Sequence, residues 1–144
     1  MIYLDSSALV KLVVLESDTD WARSLVTADD AAVSSRITWA ESHAALARRE
    51  RELPSGGQAW DASRRQVRDV WSRMRVIDVT QPLVELAGEY SLTFYLRGYD
   101  AVQLATARTA QLAAPGSWTF LSFDRRLNLA AKLLGLTVPD RVQL

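Results

Sequence analysis

Short apolar, β-prone runs alternate with longer stretches of helical periodicity, and this alternation constrains the fold more than any other feature. "MIYLD", "AAVSS", "RVIDV" and "SWTFLSF" are each too brief for a buried helix and are rich in residues that favour strands. Between them lie "SSALVKLVVLE", read as a helix with a serine cap, and "SDTDWARSLVTA", opened by Ser17 or Asp18. "RITWAESHAALARRERE" and "QAWDASRRQVRDVWSRM" follow, separated by the loop "LPSGG". "TQPLVELAGEYSLTFYL" has Thr80 as its cap and Pro82 in its first turn. "RGYDAVQLATARTAQLAA" and "DRRLNLAAKLLG" complete the helices, the last closed by Gly135. "LTV" after Gly135 is a candidate fifth strand. Strands alternating with helices predict an α/β fold: a parallel sheet covered on both faces.

The 144 residues fit one domain, 1–144, with no internal repeat or low-complexity segment. A 49% hydrophobic and 24% charged composition is that of a globular chain rather than a disordered one. The chain contains no cysteine, which excludes disulfides and thiolate-held zinc or iron–sulfur centres. The opening "MIYLDSSALVKL" makes a poor signal peptide. No apolar run reaches the roughly 18–20 residues of a membrane helix, so a soluble cytoplasmic protein is expected. Seventeen basic and seventeen acidic residues cancel, so attraction to polyanions must come from a local basic face. Arg48 to Arg75 is the arginine-rich stretch, readable either as such a face or as the solvated surface of a helical hairpin.

Four acids occupy unusual positions. Asp5 ends the first strand and Asp124 the fourth, each directly before a helix. In open parallel sheets, ligands bind beyond the carboxyl ends of the strands, where strand order reverses. Glu41 and Asp100 sit in mainly apolar helical contexts, where an unpartnered carboxylate is costly. Each has a plain structural alternative. Asp5 supports a turn capped by Ser6 or Ser7, Asp124 and Asp100 cap helices, and Glu41 pairs with Arg48 or faces water. As a set they suit a magnesium-binding cluster, because magnesium takes oxygen ligands and keeps several waters.

The segments "YLDSSALVKL", "TWAESHAAL", "YDAVQLATA" and "FLSFDRRLNLAAKLLGL" together resemble the PIN domain, and within it the VapC type of toxin endoribonuclease. The resemblance spans essentially the whole chain, in order. It implies a three-layer α/β/α fold around a parallel sheet of about five strands. It also implies a nuclease site of Asp5, Glu41, Asp100 and Asp124 holding Mg2+ or Mn2+, with Ser7 and Ser122 in support. By the same resemblance, RNA is hydrolysed to 5′-phosphate and 3′-hydroxyl ends; the expected assignment of ligands has Asp5 and Asp100 holding the main ion. Glu41 and Asp124 complete the shell or bind a second ion. The partners implied are a small antitoxin, whose basic side chain enters the acidic pocket, and a second copy in a homodimer. Gln103 departs from the histidine common in relatives, which affects a substrate or packing contact rather than a ligand.

A pocket of carboxylates repels RNA, so cations must hold the strand at its rim. Arg97, Arg125 and Arg126 are candidates, with surface ion pairing as their alternative role. His43 lies two residues from Glu41, not the three or four that face each other on a helix, and is assigned a structural role. Trp21, Trp39, Trp71 and Trp118 are read as packing residues; Trp60, near the Gly-Gly loop, is left open. An aspartate-phosphatase reading needs a second Asp where Ser7 stands, and a receiver-type site needs paired acids that here follow a helix; both are disfavoured. The rival from another class is a non-catalytic PIN-like module that binds RNA or protein.

Overall fold

The first strand, β1 (Ile2–Leu4), has all three side chains buried, as an inner strand of a sheet covered on both faces must. The computed structural model describes residues 1–27, 32–53 and 57–142. Within them β1 is followed by α1 (Ser6–Val13), α2 (Thr19–Thr27), β2 (Ala32–Ser35), α3 (Ile37–Glu52) and α4 (Gly57–Trp71). Then come β3 (Arg75–Ile77), α5 (Gln81–Phe94), α6 (Gly98–Ala113), β4 (Thr119–Leu121) and α7 (Arg125–Leu133). All strand pairings are parallel, in the order β3-β2-β1-β4.

That order fixes the architecture. The chain moves outward from β1 through β2 to β3, then returns to place β4 on the other side of β1. Parallel crossovers are right-handed, so the first two crossovers cover one face and the return crossover covers the opposite one. Helices α1 to α4 accordingly pack on one another, while α6 packs on both α5 and α7, giving three layers. The switch in direction falls between β1 and β4, which opens a crevice at their carboxyl ends. Tyr3 and Phe120, paired in register across β1 and β4, stack with ring centroids 5.4 Å apart directly beneath it.

The sheet has four strands among the described residues, not about five. The expected fifth strand, "LTV", contributes a single bridge between Thr119 and Thr137. Its bonds are Phe120 N–H to the Thr137 carbonyl at 2.7 Å and Thr137 N–H to the Trp118 carbonyl at 3.0 Å. It lies between the turn at Gly135 and Pro139, which has no N–H to extend a ladder. The first helix also ends earlier than expected, at Val13, and α2 begins at Thr19 behind Asp18, whose carbonyl accepts from Ala22. Of the expected loop "LPSGG", residues 54–56 lie outside the described residues, and Gly57 already belongs to α4. No helix of the described residues is long and apolar enough to cross a membrane.

Gly135 ends α7 as expected, with φ +81°, and the two bonds of a Schellman closure are present. Leu136 N–H donates to Ala131 and Gly135 N–H to Lys132. The space around its α-carbon is open, so an added methyl meets no neighbour and the cost of substitution is conformational alone. Gly135→Ala is expected to lower stability by about 1 kcal/mol in urea unfolding. An unchanged midpoint would show that the left-handed turn carries no such preference.

Candidate active site

Asp5 leaves β1 at the switch point and is 4% exposed. Its own N–H donates to the Leu121 carbonyl of β4 at 3.2 Å, tying the two strand ends together. Both carboxylate oxygens are engaged. Oδ1 accepts from Ala8 N–H at 2.8 Å and from Ser7 Oγ at 2.7 Å, and Oδ2 accepts from Ser122 Oγ at 2.7 Å. The helix cap is therefore Asp5 itself, and not a serine. The serines instead face both ways: Ser7 Oγ accepts from Phe123 N–H and Ser122 Oγ from Asp124 N–H. Each hydroxyl thus donates to Asp5 while fixing the backbone that carries Asp124.

Asp124 caps α7, its Oδ1 accepting from Leu127 N–H at 2.8 Å. Capping and ligation are not alternatives here, because a cap uses one carboxylate oxygen and orients the other. Asp100 does not cap its helix. Arg97 holds the N-cap position of α6 and Asp100 sits in the first turn, half-buried and without a hydrogen bond from the described residues. Glu41, one turn into α3, makes no ion pair with Arg48. Its Oε2 accepts from Gln103 Nε2 at 2.5 Å.

The electrostatics bind these acids into one site. Burial pushes the Asp5 carboxyl up from the usual 3.8 to about 6, its three hydrogen bonds oppose the rise, and the charge of Asp100 adds to it. Glu41 is also pushed up, first by burial and then by Asp5 and Asp100. Asp100 is pushed up first by burial and then by the charge of Asp124, while Arg97 and Arg126 pull it back. Each acid feels another, and no described cation is bonded to Asp5, Glu41 or Asp100. Such a set of oxygen donors, with no ion pair among the described residues, fits a hard divalent cation. In the arrangement present, no three acids or histidines of the described residues stand close enough to grip one ion.

Behind the acids runs a buried polar chain. Gln103 is 1% exposed on α6; its Nε2 also donates to Thr38 Oγ1 at 2.8 Å, and its Oε1 accepts from Tyr3 Oη at 2.6 Å. Ser34 Oγ reaches Thr38 Oγ1 and the Leu4 carbonyl, at 2.8 Å and 2.6 Å. The sequence marks Gln103 only as a departure from a pattern. Its role in holding Glu41 shows once α6 lies against β2 and α3. Tyr3, Thr38 and Ser34 carry no sequence signal beyond being polar groups in segments that must be buried.

The other residues fall where the chemistry allows. Arg97 and Arg126 act on Asp100, and Arg126 also donates to the Tyr95 carbonyl at 3.2 Å. Arg125 is exposed and bonds to none of the described acids. His43 Nδ1 lies 2.8 Å from the Trp39 carbonyl, and its ring packs on Trp39 at 4.3 Å, which makes it a packing residue. Trp118 and Trp60 are buried, each with its indole N–H on a carbonyl.

Two measurements follow from this geometry. The folded state holds the Asp5 proton up to about pH 6, whereas the unfolded chain releases it near 3.8. Between those values the folded state binds more protons, so stability falls as pH rises through that window, by about 3 kcal/mol from this group. Unfolding in chelator is expected to show Asp5→Asn lacking that component and overtaking wild type above pH 6; parallel pH profiles would refute it. Gln103→Leu removes the amide that joins Tyr3, Thr38 and Glu41, leaving Tyr3 to Thr106 and Ser35 and Glu41 to Ser6, and is expected to cost about 2 kcal/mol. A loss below about 1 kcal/mol would mean that other groups satisfy them.

The PIN domain family model matches residues 2–133. Ribonuclease VapC45 of Mycobacterium tuberculosis is 34% identical over 138 residues, covering 96% of this chain and 94% of that protein. Ribonuclease VapC46 of the same organism is 36% identical over 137 residues, 95% of each chain. Among solved structures, a toxin–antitoxin complex from Klebsiella pneumoniae superposes with TM-score 0.57 at 20% identity, over 83% of this chain and 84% of its own. A Pyrobaculum aerophilum protein superposes with TM-score 0.63 at 20% identity, over 99% and 92%.

Proposed function

The chain belongs to the PIN domain family, and on that premise we propose that it is a metal-dependent endoribonuclease, the toxin of a toxin–antitoxin pair. The observation that carries the reading is the gathering of Asp5, Glu41 and Asp100, with Asp124 acting on Asp100, at the β1/β4 switch point with no ion pair among the described residues. Relatives named as ribonucleases support the reaction class, and a structural neighbour from a toxin–antitoxin complex supports a protein partner.

Asp5 and Asp100 would hold Mg2+ or Mn2+, with Glu41 and Asp124 completing the shell. The ion, when bound, supplies Lewis-acid polarisation of the phosphoryl group and a water of lowered pKa. The chain supplies the rest. The Ser7 and Ser122 hydroxyls hold the Asp5 carboxylate in one orientation, so it needs no reorganisation to act. Gln103 holds Glu41 against the repulsion of its neighbours. Arg97 and Arg126, which already act on Asp100, stand where an RNA phosphate is drawn toward the acids, and Arg125 adjoins Arg126 in sequence.

The same negative pocket explains how a small antitoxin inhibits: a basic side chain entering it satisfies the carboxylates and displaces the ion. A homodimer in the cytoplasm completes the proposal.

Calorimetric titration with Mg2+ and Mn2+, followed by RNA cleavage with and without chelator, tests it. Wild type is expected to bind the ion and to cut. Asp5→Asn and Asp100→Asn are expected to stay folded by circular dichroism, to lose ion binding, and to cut slower by roughly two orders of magnitude or more. Equal binding and cleavage by all three chains would overturn the assignment. A wild-type chain that binds RNA without cutting it would favour the binding module.

A further inference from the structure

A groove of about 560 Å3 opens beside Glu41 and follows one side of α3, with Ser6 and Tyr99 on its other wall. Seven and ten residues beyond Glu41 it is lined by Arg48 and Arg51, about 10 Å and 15 Å along the helix axis at 1.5 Å per residue. The arginines around this helix divide into two kinds. Arg49 is held by Glu16, and Arg64 of α4 is held by Glu50 and Asp61. Arg48 and Arg51 are exposed and make no ion pair with any described residue. The two arginines of α3 without an ion pair among the described residues are the two that line the groove.

Tyr99 stands beside Asp100 in the first turn of α6 and is 68% exposed. A ring left in water next to the acid cluster contributes little to the core, but it offers a flat face to a base. The groove therefore holds one candidate catalytic acid, Glu41, an exposed aromatic ring and two guanidinium groups that no described acid pairs with. Small side chains at Ala40, Ala44 and Ala45 keep its floor low.

Resting on the endoribonuclease reading above, we propose that this groove is the subsite for single-stranded RNA on one side of the cut phosphate. Arg48 and Arg51 bind backbone phosphates, and Tyr99 stacks the base next to the scissile bond. The acids alone repel a polyanion, so the strand is retained by charge placed two to three helical turns away, where it neither neutralises the acids nor competes with the ion. Backbone contacts and stacking are sequence-tolerant, which predicts general strand retention rather than base reading by this segment.

The test uses the full chain. Binding of a fluorescein-labelled single-stranded RNA 12-mer of mixed sequence is followed by anisotropy in the Asp5→Asn background, over a range of salt, with wild-type cleavage measured in parallel. Arg48→Gln with Arg51→Gln is expected to weaken binding and to reduce the salt slope by about 1.4, since each single-strand phosphate contact contributes roughly 0.7. Tyr99→Ala is expected to weaken binding roughly tenfold with the slope unchanged, and Tyr99→Phe to bind as the background does. Because all three side chains are exposed, the variants are expected to melt with the parent. Background affinity and slope retained in the arginine variant, while wild type cuts RNA, would overturn this proposal and leave the endoribonuclease reading standing. The same holds if the arginine variant changes the sedimentation mass and not RNA binding, which would give the groove to a second copy of the chain. A wild type that neither binds nor cuts RNA would overturn both.

Discussion

A single carboxylate, that of Asp5, is the point on which the site depends. It sits at 4% exposure where β1 and β4 part, and each of its oxygens is spoken for. One oxygen starts α1, one draws Ser122 toward it, and the serines in turn hold the backbone of 123 and 124. A buried anion of this kind is tolerated because three donors solvate it in place of water. They do not fully compensate, and its pKa stays well above that of a free aspartate. The metal-free chain therefore keeps a charge in a place that costs stability, which is the usual sign of a functional group held ready for a ligand.

The same tension extends outward. Glu41 and Asp100 are pushed up by burial and by their neighbours, and the fold restrains Glu41 through Gln103, Thr38 and Tyr3. This chain of bonds crosses from α6 to α3 and down to β1, so the position of one acid is set by three elements that meet only in the folded state. Fully bonded, such a network gives a carboxylate a defined place; with one member missing it leaves several buried groups unsatisfied at once.

Positive charge is distributed by the opposite rule. Arg36, Arg49, Arg64 and Arg141 are paired with acids on neighbouring segments and serve the surface. Arg97 and Arg126 act on Asp100, and Arg48 and Arg51 line a groove without an ion pair among the described residues. A chain of zero net charge thereby gathers acids at the switch point and sets the guanidinium groups of Arg48 and Arg51 along the groove beside it. Overall charge conveyed none of this.

The sequence alone determined the alternation of strands and helices, and with it the parallel α/β class, because periodicity and turn residues act over a few positions. It also placed Asp5 and Asp124 at strand ends, since each stands between an apolar run and a helix start. It left open whether those acids were caps or ligands; both prove to cap helices, each through one carboxylate oxygen. It misassigned the cap of α1 to a serine, because Asp5, Ser6 and Ser7 are all good caps and only the backbone conformation distinguishes them. It predicted about five strands, where the turn at Gly135 and Pro139 leave room for one bridge. What only the tertiary structure decided is who meets whom: Gln103 on Glu41, Ser122 on Asp5, and which arginines remain free. Those meetings join residues up to 117 apart in sequence. They depend on the order β3-β2-β1-β4, a long-range choice that no local pattern encodes.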